Sequence, residues 1–203
     1  MKNKFSAIVF FSLIVFTSCT STAALVPGQR KIISKNIYTE YMNIADAYYS
    51  MEKFDKAIVY YKNCLRDKSF TNSANYKLGL CYVKTSKWSE AEDIFKSLLK
   101  KDPENGTLQS SLAYIYCMNN ETDKAIELYS KLIQSYPENS SYLENYIAVL
   151  IQAERLDEAS TQMDILKEKF PDSSKITKIQ EEIKKQTEDN NQSAKDSSEV
   201  ETK

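Results

Sequence analysis

The chain has 203 residues, with 27 basic and 28 acidic side chains, a formal charge of −1 and no histidine. Without a basic field a nucleic-acid partner is excluded, and without histidine a hydrolase or a transition-metal site is disfavoured. Only three glycines and four prolines occur, which favours long helices over a sheet with many tight turns. We therefore expect an all-α protein that is not an enzyme and needs no cofactor.

The first predicted element is an export signal over residues 1–18. Lys2 and Lys4 precede a mostly apolar, uncharged segment, Phe5 to Phe16, and small polar residues follow it. A membrane-spanning helix needs about 20 apolar residues, whereas this shorter order of basic, apolar and small residues is typical of a signal peptide.

The end of this signal, Val15-Phe16-Thr17-Ser18-Cys19, resembles the lipobox of bacterial lipoproteins, with Phe16 where Leu is commonest. The resemblance implies that Cys19 carries the lipid (diacylglycerol and an acyl chain such as palmitate), and that residues 19–37 form a tether. The competing prediction is cleavage after Ala23 or Ala24, which leaves the protein soluble in the periplasm. The expected location is the bacterial cell envelope, lipid-anchored and facing the periplasm or the cell surface, with the membrane and leaflet left open.

From residue 38 onward, residue types recur every 34 positions. The aligned small residues are Ala57, Ala91, Ala125 and Ala159. Twelve residues after the last three alanines stand Pro103, Pro137 and Pro171. The 34-residue interval also separates successive pairs of the Leu-Gly or Ile-Ala type, successive tyrosines and successive large side chains that are mostly aromatic. This pattern resembles the tetratricopeptide repeat (TPR) signature.

The resemblance implies a right-handed TPR solenoid of four helix-turn-helix repeats with a C-terminal capping helix. The repeat boundaries are 38–71, 72–105, 106–139 and 140–173. The apolar residues of each unit recur at helical spacing, so two amphipathic helices are predicted per repeat, stabilised by stacking on their neighbours. In the last three repeats the proline ends the second helix because it lacks the backbone donor. Ser73, Thr107 and Ser140 are predicted to cap first helices.

After Pro171, Ile176, Ile179 and Ile183 are spaced by three and four residues, which predicts a capping helix over residues 174–186. Residues 187–203 contain no aromatic residue, and five acidic side chains stand against two basic ones. We expect a disordered polar tail there.

In TPR proteins the first helix of each repeat lines a concave surface that receives the partner. Transferred to this chain, the groove positions form a mainly aromatic and aliphatic set: Met42, Asp46, Tyr49, Tyr76, Leu80, Val83, Lys84, Ser110, Tyr114, Cys117, Met118, Glu144, Ala148, Ile151 and Gln152. An apolar groove predicts a hydrophobic segment, an amphipathic helix or a lipid-like molecule as its occupant. The alternative, that the Tyr and Met residues belong to the core between repeats, remains open.

Three further cysteines, Cys64, Cys81 and Cys117, form no C-x-x-C motif, so we expect buried free thiols and no metal site. A bridge between Cys64 and Cys81 is the alternative in an oxidising compartment. The leading functional prediction is a membrane-anchored scaffold for protein–protein interaction at the envelope, of open oligomeric state. The alternative is a TPR lipoprotein that carries a small apolar ligand together with a transporter partner.

Overall fold

The computed structural model describes the backbone of residues 29–201 and the side chains of residue 32 and residues 36–192. This part of the chain forms nine α-helices and no strand. They are α1 (Gln29–Ser50), α2 (Phe54–Cys64), α3 (Thr71–Lys84), α4 (Trp88–Leu99), α5 (Gly106–Met118), α6 (Thr122–Ser135), α7 (Ser140–Gln152), α8 (Leu156–Lys169) and α9 (Ile176–Glu201). The predicted signal peptide, Cys19 and residues 19–28 of the predicted tether lie outside the described residues.

The helices stack in chain order, each against the next, and α9 contacts both α8 and α7. Each of the four predicted repeats contains one helix pair, α1–α2, α3–α4, α5–α6 or α7–α8. The hydrophobic core runs through all the pairs as one cluster, from Ala45 in α1 to Ile179 in α9. Since a single pair cannot enclose its own apolar face, this continuity is what stabilises the stack.

The repeating alanines are the points of closest approach between helices. All four, at positions 57, 91, 125 and 159, have no exposed surface. The large side chains four residues later are also buried, namely Tyr61, Phe95, Tyr129 and Met163. Gly79 shows why the partner position must be small, because a Cβ there would lie 2.8 Å from Cε2 of Phe95. The alternation of small and large residues thus follows from the packing.

A second feature with the 34-residue interval is the turn that ends each first helix. Four non-glycine residues have a positive φ of 56° to 61°: Glu52, Ser86, Asn120 and Glu154. The amide of the next residue donates to the carbonyl five residues earlier, as in Lys87 N to Tyr82 O at 2.9 Å. The amide of Ser86 itself donates to Val83 O at 3.1 Å. These two hydrogen bonds define a Schellman turn, which satisfies carbonyls that a helix end leaves free.

The helix caps differ from the prediction. Asn105 and Asn139 have extended backbones, and their side-chain oxygens accept hydrogen bonds from the amides of Leu108 and Ser141, both at 3.1 Å. Thr107 and Ser140 lie one or two positions inside their helices, and Ser73 lies within α3. The cap therefore falls on the asparagine of each Pro-Glu-Asn segment, because the chain is still extended at that residue and becomes helical after it.

Both ends are more helical than predicted. Helix α1 begins at Gln29, so residues 29–37, which were assigned to the tether, belong to the first helix. Helix α9 continues to Glu201, where a disordered tail was expected from residue 187. No glycine or proline follows Pro171 to end the helix. Pairs one turn apart, such as Lys184 and Glu188 at 3.8 Å, line its exposed face.

Two further findings concern membranes and disulfides. Among the described helices, none is long and apolar enough to cross a bilayer. Cys64, Cys81 and Cys117 are buried free thiols, so the alternative bridge between Cys64 and Cys81 is not formed.

The positive φ at Ser86 predicts a stabilising substitution. A side chain in this region costs about 1–2 kcal/mol, and the greater freedom of glycine in the unfolded chain offsets part of the gain. We expect Ser86→Gly to raise the free energy of unfolding by about 0.5–1 kcal/mol in urea titrations followed by circular dichroism. The matched control is Ser97→Gly, at an exposed site inside α4, which should lower it by about 0.5 kcal/mol. Equal losses in both variants would contradict a strained turn.

Candidate binding groove

Asp46 on α1 ties the first three helices together. Its Oδ1 accepts a hydrogen bond from the Tyr61 hydroxyl of α2 at 2.5 Å, and Lys77 Nζ of α3 lies 2.6 Å from both carboxylate oxygens. Burial, and then the hydrogen bond to Asp46, raise the pKa of Tyr61 well above its usual range. The tyrosine therefore stays a neutral donor, and the charge of Asp46 is met by Lys77.

Around this carboxylate lies a cleft of about 320 Å³ between α1 and α3. Its lining brings together four predicted groove residues: Asp46, Tyr49, Tyr76 and Leu80. The two aromatic rings are held in place from behind. Tyr49 meets Phe54 edge to face at 5.4 Å between ring centroids, and Tyr76 meets Phe95 in the same way at 5.9 Å. The rings are thus fixed, half-buried walls of the cleft.

Tyr61 and Lys77 also line this cleft, and the family positions did not include them. The sequence spacing could have predicted the position of Lys77. It stands 31 residues after Asp46, and residues at that distance fall on neighbouring first helices when the repeat is 34 residues long. A lysine and an aspartate at that interval are placed for an ion pair.

Tyr76 is shared with a second cleft, of about 410 Å³, formed where α3, α4 and α5 meet. This cleft is more polar, since Asn72, Lys101, Asp102 and Asn105 contribute to its lining. Lys101 Nζ donates to Asn72 Oδ1 at 2.9 Å across its mouth. The two clefts together extend the surface from α1 to the start of α5.

On α5 two of the predicted groove residues are exposed to solvent. Tyr114 is 45% exposed and Met118 39% exposed, and they lie one helical turn apart. Lys84 at the end of α3 is also exposed, whereas Met42 and Val83 are half-buried against the core. These exposed apolar side chains continue the surface beyond the clefts.

Cys117 and Ile151 were predicted to line the groove, but both are buried, with 4% and 6% exposure. The position that they share in the repeat faces the next first helix. Cys117 Sγ lies 3.0 Å from Oε1 of Gln152 on α7, and Ile151 lies beneath α9. Burial also raises the pKa of the Cys117 thiol above its ordinary value, so it is a poor nucleophile as well as an inaccessible one.

At the far end, α9 lies beside α7 in the way that one first helix lies beside the next. A cleft of about 410 Å³ separates them. Glu144, one of the predicted groove positions, is 7% exposed and forms the link between the two. Ser173 Oγ donates to its Oε1, and Lys175 Nζ contacts its Oε2, both at 2.7 Å.

The charge state of Glu144 follows from two opposed effects. Burial alone would raise the pKa of this carboxyl, but the hydrogen bonds from Lys175 and Ser173 outweigh burial and hold the pKa below its usual value. The carboxylate is therefore ionised at neutral pH and attaches the start of α9 to α7. Within the described residues, no group of three or more His, Cys, Asp or Glu side chains is placed to hold a metal ion.

Comparisons with known families and structures agree with this architecture. Two family models described as tetratricopeptide repeat match residues 42–106 and 82–144. Together they cover residues 42–144, which is 144 − 42 + 1 = 103 of the 203 residues. No curated protein matches the chain.

Several solved structures share the fold. A tetratricopeptide repeat protein from Parabacteroides merdae is 21% identical, with a TM-score of 0.63 over 75% of this chain and 60% of its own. MamA from AMB-1 is 19% identical, with a TM-score of 0.58 over 75% and 84%. YrrB, described as a TPR protein with an unusual peptide-binding site, is 21% identical, with a TM-score of 0.55 over 76% and 89%. This chain thus spans about 60% of the Parabacteroides protein, and the predicted all-α TPR solenoid is confirmed.

The buried carboxylate predicts a pH dependence of stability. Glu144→Gln should lower the free energy of unfolding by about 1–2 kcal/mol at neutral pH, a modest loss because Lys175 remains half exposed. A carboxyl whose pKa is lower in the folded protein contributes its full stabilisation at a pH above its unfolded pKa of about 4.3. That stabilisation is lost as the pH falls through the folded pKa. The difference between wild type and variant should therefore shrink in acid. Glu181→Gln, at an exposed site on α9, is the control, and a difference that does not change with pH would contradict the assignment.

Proposed function

Because the chain belongs to the tetratricopeptide repeat family, we propose that it is a protein-binding scaffold whose first helices hold an apolar segment of a partner protein. The groove consists of the half-buried Tyr49, Tyr76 and Leu80 and the exposed Tyr114 and Met118. It has no catalytic role in this proposal.

The observation that carries the proposal is the run of large apolar side chains on successive first helices. Tyr114 and Met118 are exposed although they belong to a repeat whose core positions are filled by Leu112, Ala113 and Tyr116. The solenoid therefore does not need these two side chains for its core packing. Apolar side chains that remain grouped on a surface are typical of a contact site.

The chemistry of the groove favours an apolar partner segment over a charged one. The charged side chains in the first cleft, Asp46 and Lys77, already neutralise each other at 2.6 Å. What remains for a partner is aromatic and aliphatic surface, which suits the apolar face of a helix or the side chains of an extended segment. The peptide-binding site in the description of YrrB supports a peptide segment as the kind of ligand.

The second part of the proposal is that the scaffold is held at the bacterial envelope by a lipid on Cys19. The lipobox-like segment that ends at Cys19 supports this attachment. Gln29, where α1 begins, lies ten positions after Cys19, which allows a reach of at most about 35 Å. A groove so close to a membrane would meet envelope proteins first.

Two changes at the groove test the partner site. Replacement of both Tyr114 and Met118 by alanine should weaken binding of a captured partner about 30-fold or more, as the loss of an aromatic anchor does. Capture uses a photo-crosslinking amino acid at position 114 in cells that express the full chain. The control site is Val59, which is 57% exposed on α2. Val59→Ala should leave binding unchanged, and all variants should keep the melting temperature of the wild type.

The groove hypothesis fails if residues 114 and 59 capture the same proteins or if the alanine variant binds as well as wild type. If no protein is captured and native mass spectrometry shows a bound lipid or metabolite, the chain is instead a ligand carrier of the kind that works beside a transporter.

Lipid attachment is tested separately. Cells that express the full chain are labelled with a radioactive or clickable palmitate, and the label should be present in wild type and absent in Cys19→Ala. Cys64→Ala, at a buried thiol, should keep the label. Wild-type protein that is unlabelled and begins after Ala23 or Ala24 would contradict the anchor and leave the groove proposal untouched.

A further inference from the structure

The outer side of α1, at the start of the solenoid, carries an apolar stripe. It consists of Ile37, Tyr41, Ile44, Tyr48 and Met51, which follow one another at intervals of four and three residues. Ile44 is 36% exposed and Met51 60% exposed. Tyr41 and Tyr48 are half-buried because both pack on the ring of Tyr60 in α2, with centroids 6.1 and 5.5 Å apart. The α1 stripe is therefore a surface of five residues, four of them on α1 and the fifth, Met51, in the turn that follows it.

The centre of this stripe occupies positions that are interfaces in the later repeats. Thirty-four residues after Ile44 and Tyr48 stand Leu78 and Tyr82, and both are buried. Tyr82 there contacts the preceding repeat, since Lys62 Nζ of α2 lies 5.7 Å from its ring centroid. In the described part of the chain, no second helix precedes α1 to cover the same positions.

The rest of the stripe is more apolar than its internal counterparts. Where repeat one has Ile37, Tyr41 and Met51, the corresponding residues of the next two repeats are polar: Thr71, Asn75, Thr85, Asn105, Gln109 and Asn119. The first unit of a solenoid that faces water is expected to be polar on its outer side. The outer side of α1 carries apolar residues instead, which indicates that another molecule covers this surface.

We propose that the α1 stripe of a second copy of this chain covers it, so that two solenoids join through their N-terminal ends. None of the five stripe residues is charged, and the cation of Lys56, at Nζ, lies 5.5 Å from the ring centroid of Tyr48. Two copies can therefore oppose their stripes without placing like charges of the stripe residues against each other, as a two-fold interface requires. Its alternating three- and four-residue spacing is the pattern with which two helices pack along a common seam.

Two other occupants fit less well. A copy stacked head to tail would have to offer the outer surface of α8, which α9 already covers. A lipid surface would favour a predominantly basic border, whereas the residues beside the stripe carry both signs, with Glu40, Glu52, Lys53 and Lys56. An interface between two identical stripes leaves the contact of α8 with α9 in place and needs no basic border.

The test is cysteine crosslinking of the full chain in cells. Ile44 lies at the middle of the stripe and therefore near the two-fold axis, so Ile44→Cys should form a covalent dimer on mild oxidation, visible on a non-reducing gel. Val59→Cys is the matched control, because Val59 is 57% exposed on α2 and its counterparts Asp93 and Glu127 are exposed as well. It shares all native cysteines and should remain monomeric.

A second set of variants tests the stripe itself. Adding Ile37→Lys and Met51→Lys to the Ile44→Cys chain should reduce the dimer band to the level of the control, because two pairs of like charges would face each other. Adding Val59→Lys should leave the band unchanged, and circular dichroism of each purified variant should show wild-type helicity.

The proposal is overturned if Ile44→Cys crosslinks no more than Val59→Cys. It is also overturned if the lysine pair leaves the dimer band intact, or if the cysteine at 44 crosslinks to a different protein. None of these outcomes bears on the groove at Tyr114, so the two proposals fail or survive separately.

Discussion

The structure depends on how closely two helices can approach where small residues meet. Each second helix presents an alanine with no exposed surface, and a large side chain one turn later fills the space that the close approach leaves at its side. Gly79 shows the requirement directly, since even one added carbon would meet the ring of Phe95 at 2.8 Å. Repetition of this contact at a fixed interval places the helices against one another in chain order.

The groove is a consequence of the same repetition. Because successive first helices lie side by side, residues about one repeat apart become neighbours, and the contact of Asp46 with Lys77 and Tyr61 joins three helices through one carboxylate. In that network the polar groups of the first cleft bind one another. The other large side chains at the groove, Tyr49, Tyr76, Tyr114 and Met118, are aromatic or aliphatic, and they give the surface its apolar character.

The sequence alone predicts much of this fold, because both the alanine interval and the prolines report long-range packing that repeats. It did not predict the turn at Glu52, Ser86, Asn120 and Glu154, since none of these residues is the glycine that usually marks a left-handed backbone. The groove was predicted less well than the fold. A position in a repeat says which direction a side chain faces, but Cys117 and Ile151 face a neighbouring helix that covers them. The contacts of Glu144 likewise come from Ser173 and Lys175, which follow the last helix pair of the repeats.

The attachment of α9 has a consequence for how such a chain can lengthen by gene duplication. A copied 34-residue unit inserted near Pro103 or Pro137 would meet the same small and large residues on both sides, so every junction could form again. A copy of repeat one, two or three inserted after Pro171 would separate Lys175 and Ser173 from Glu144 and leave a buried carboxylate without its partners. The ion pair at the C-terminal end therefore restricts which repeats can be added at that end of the array.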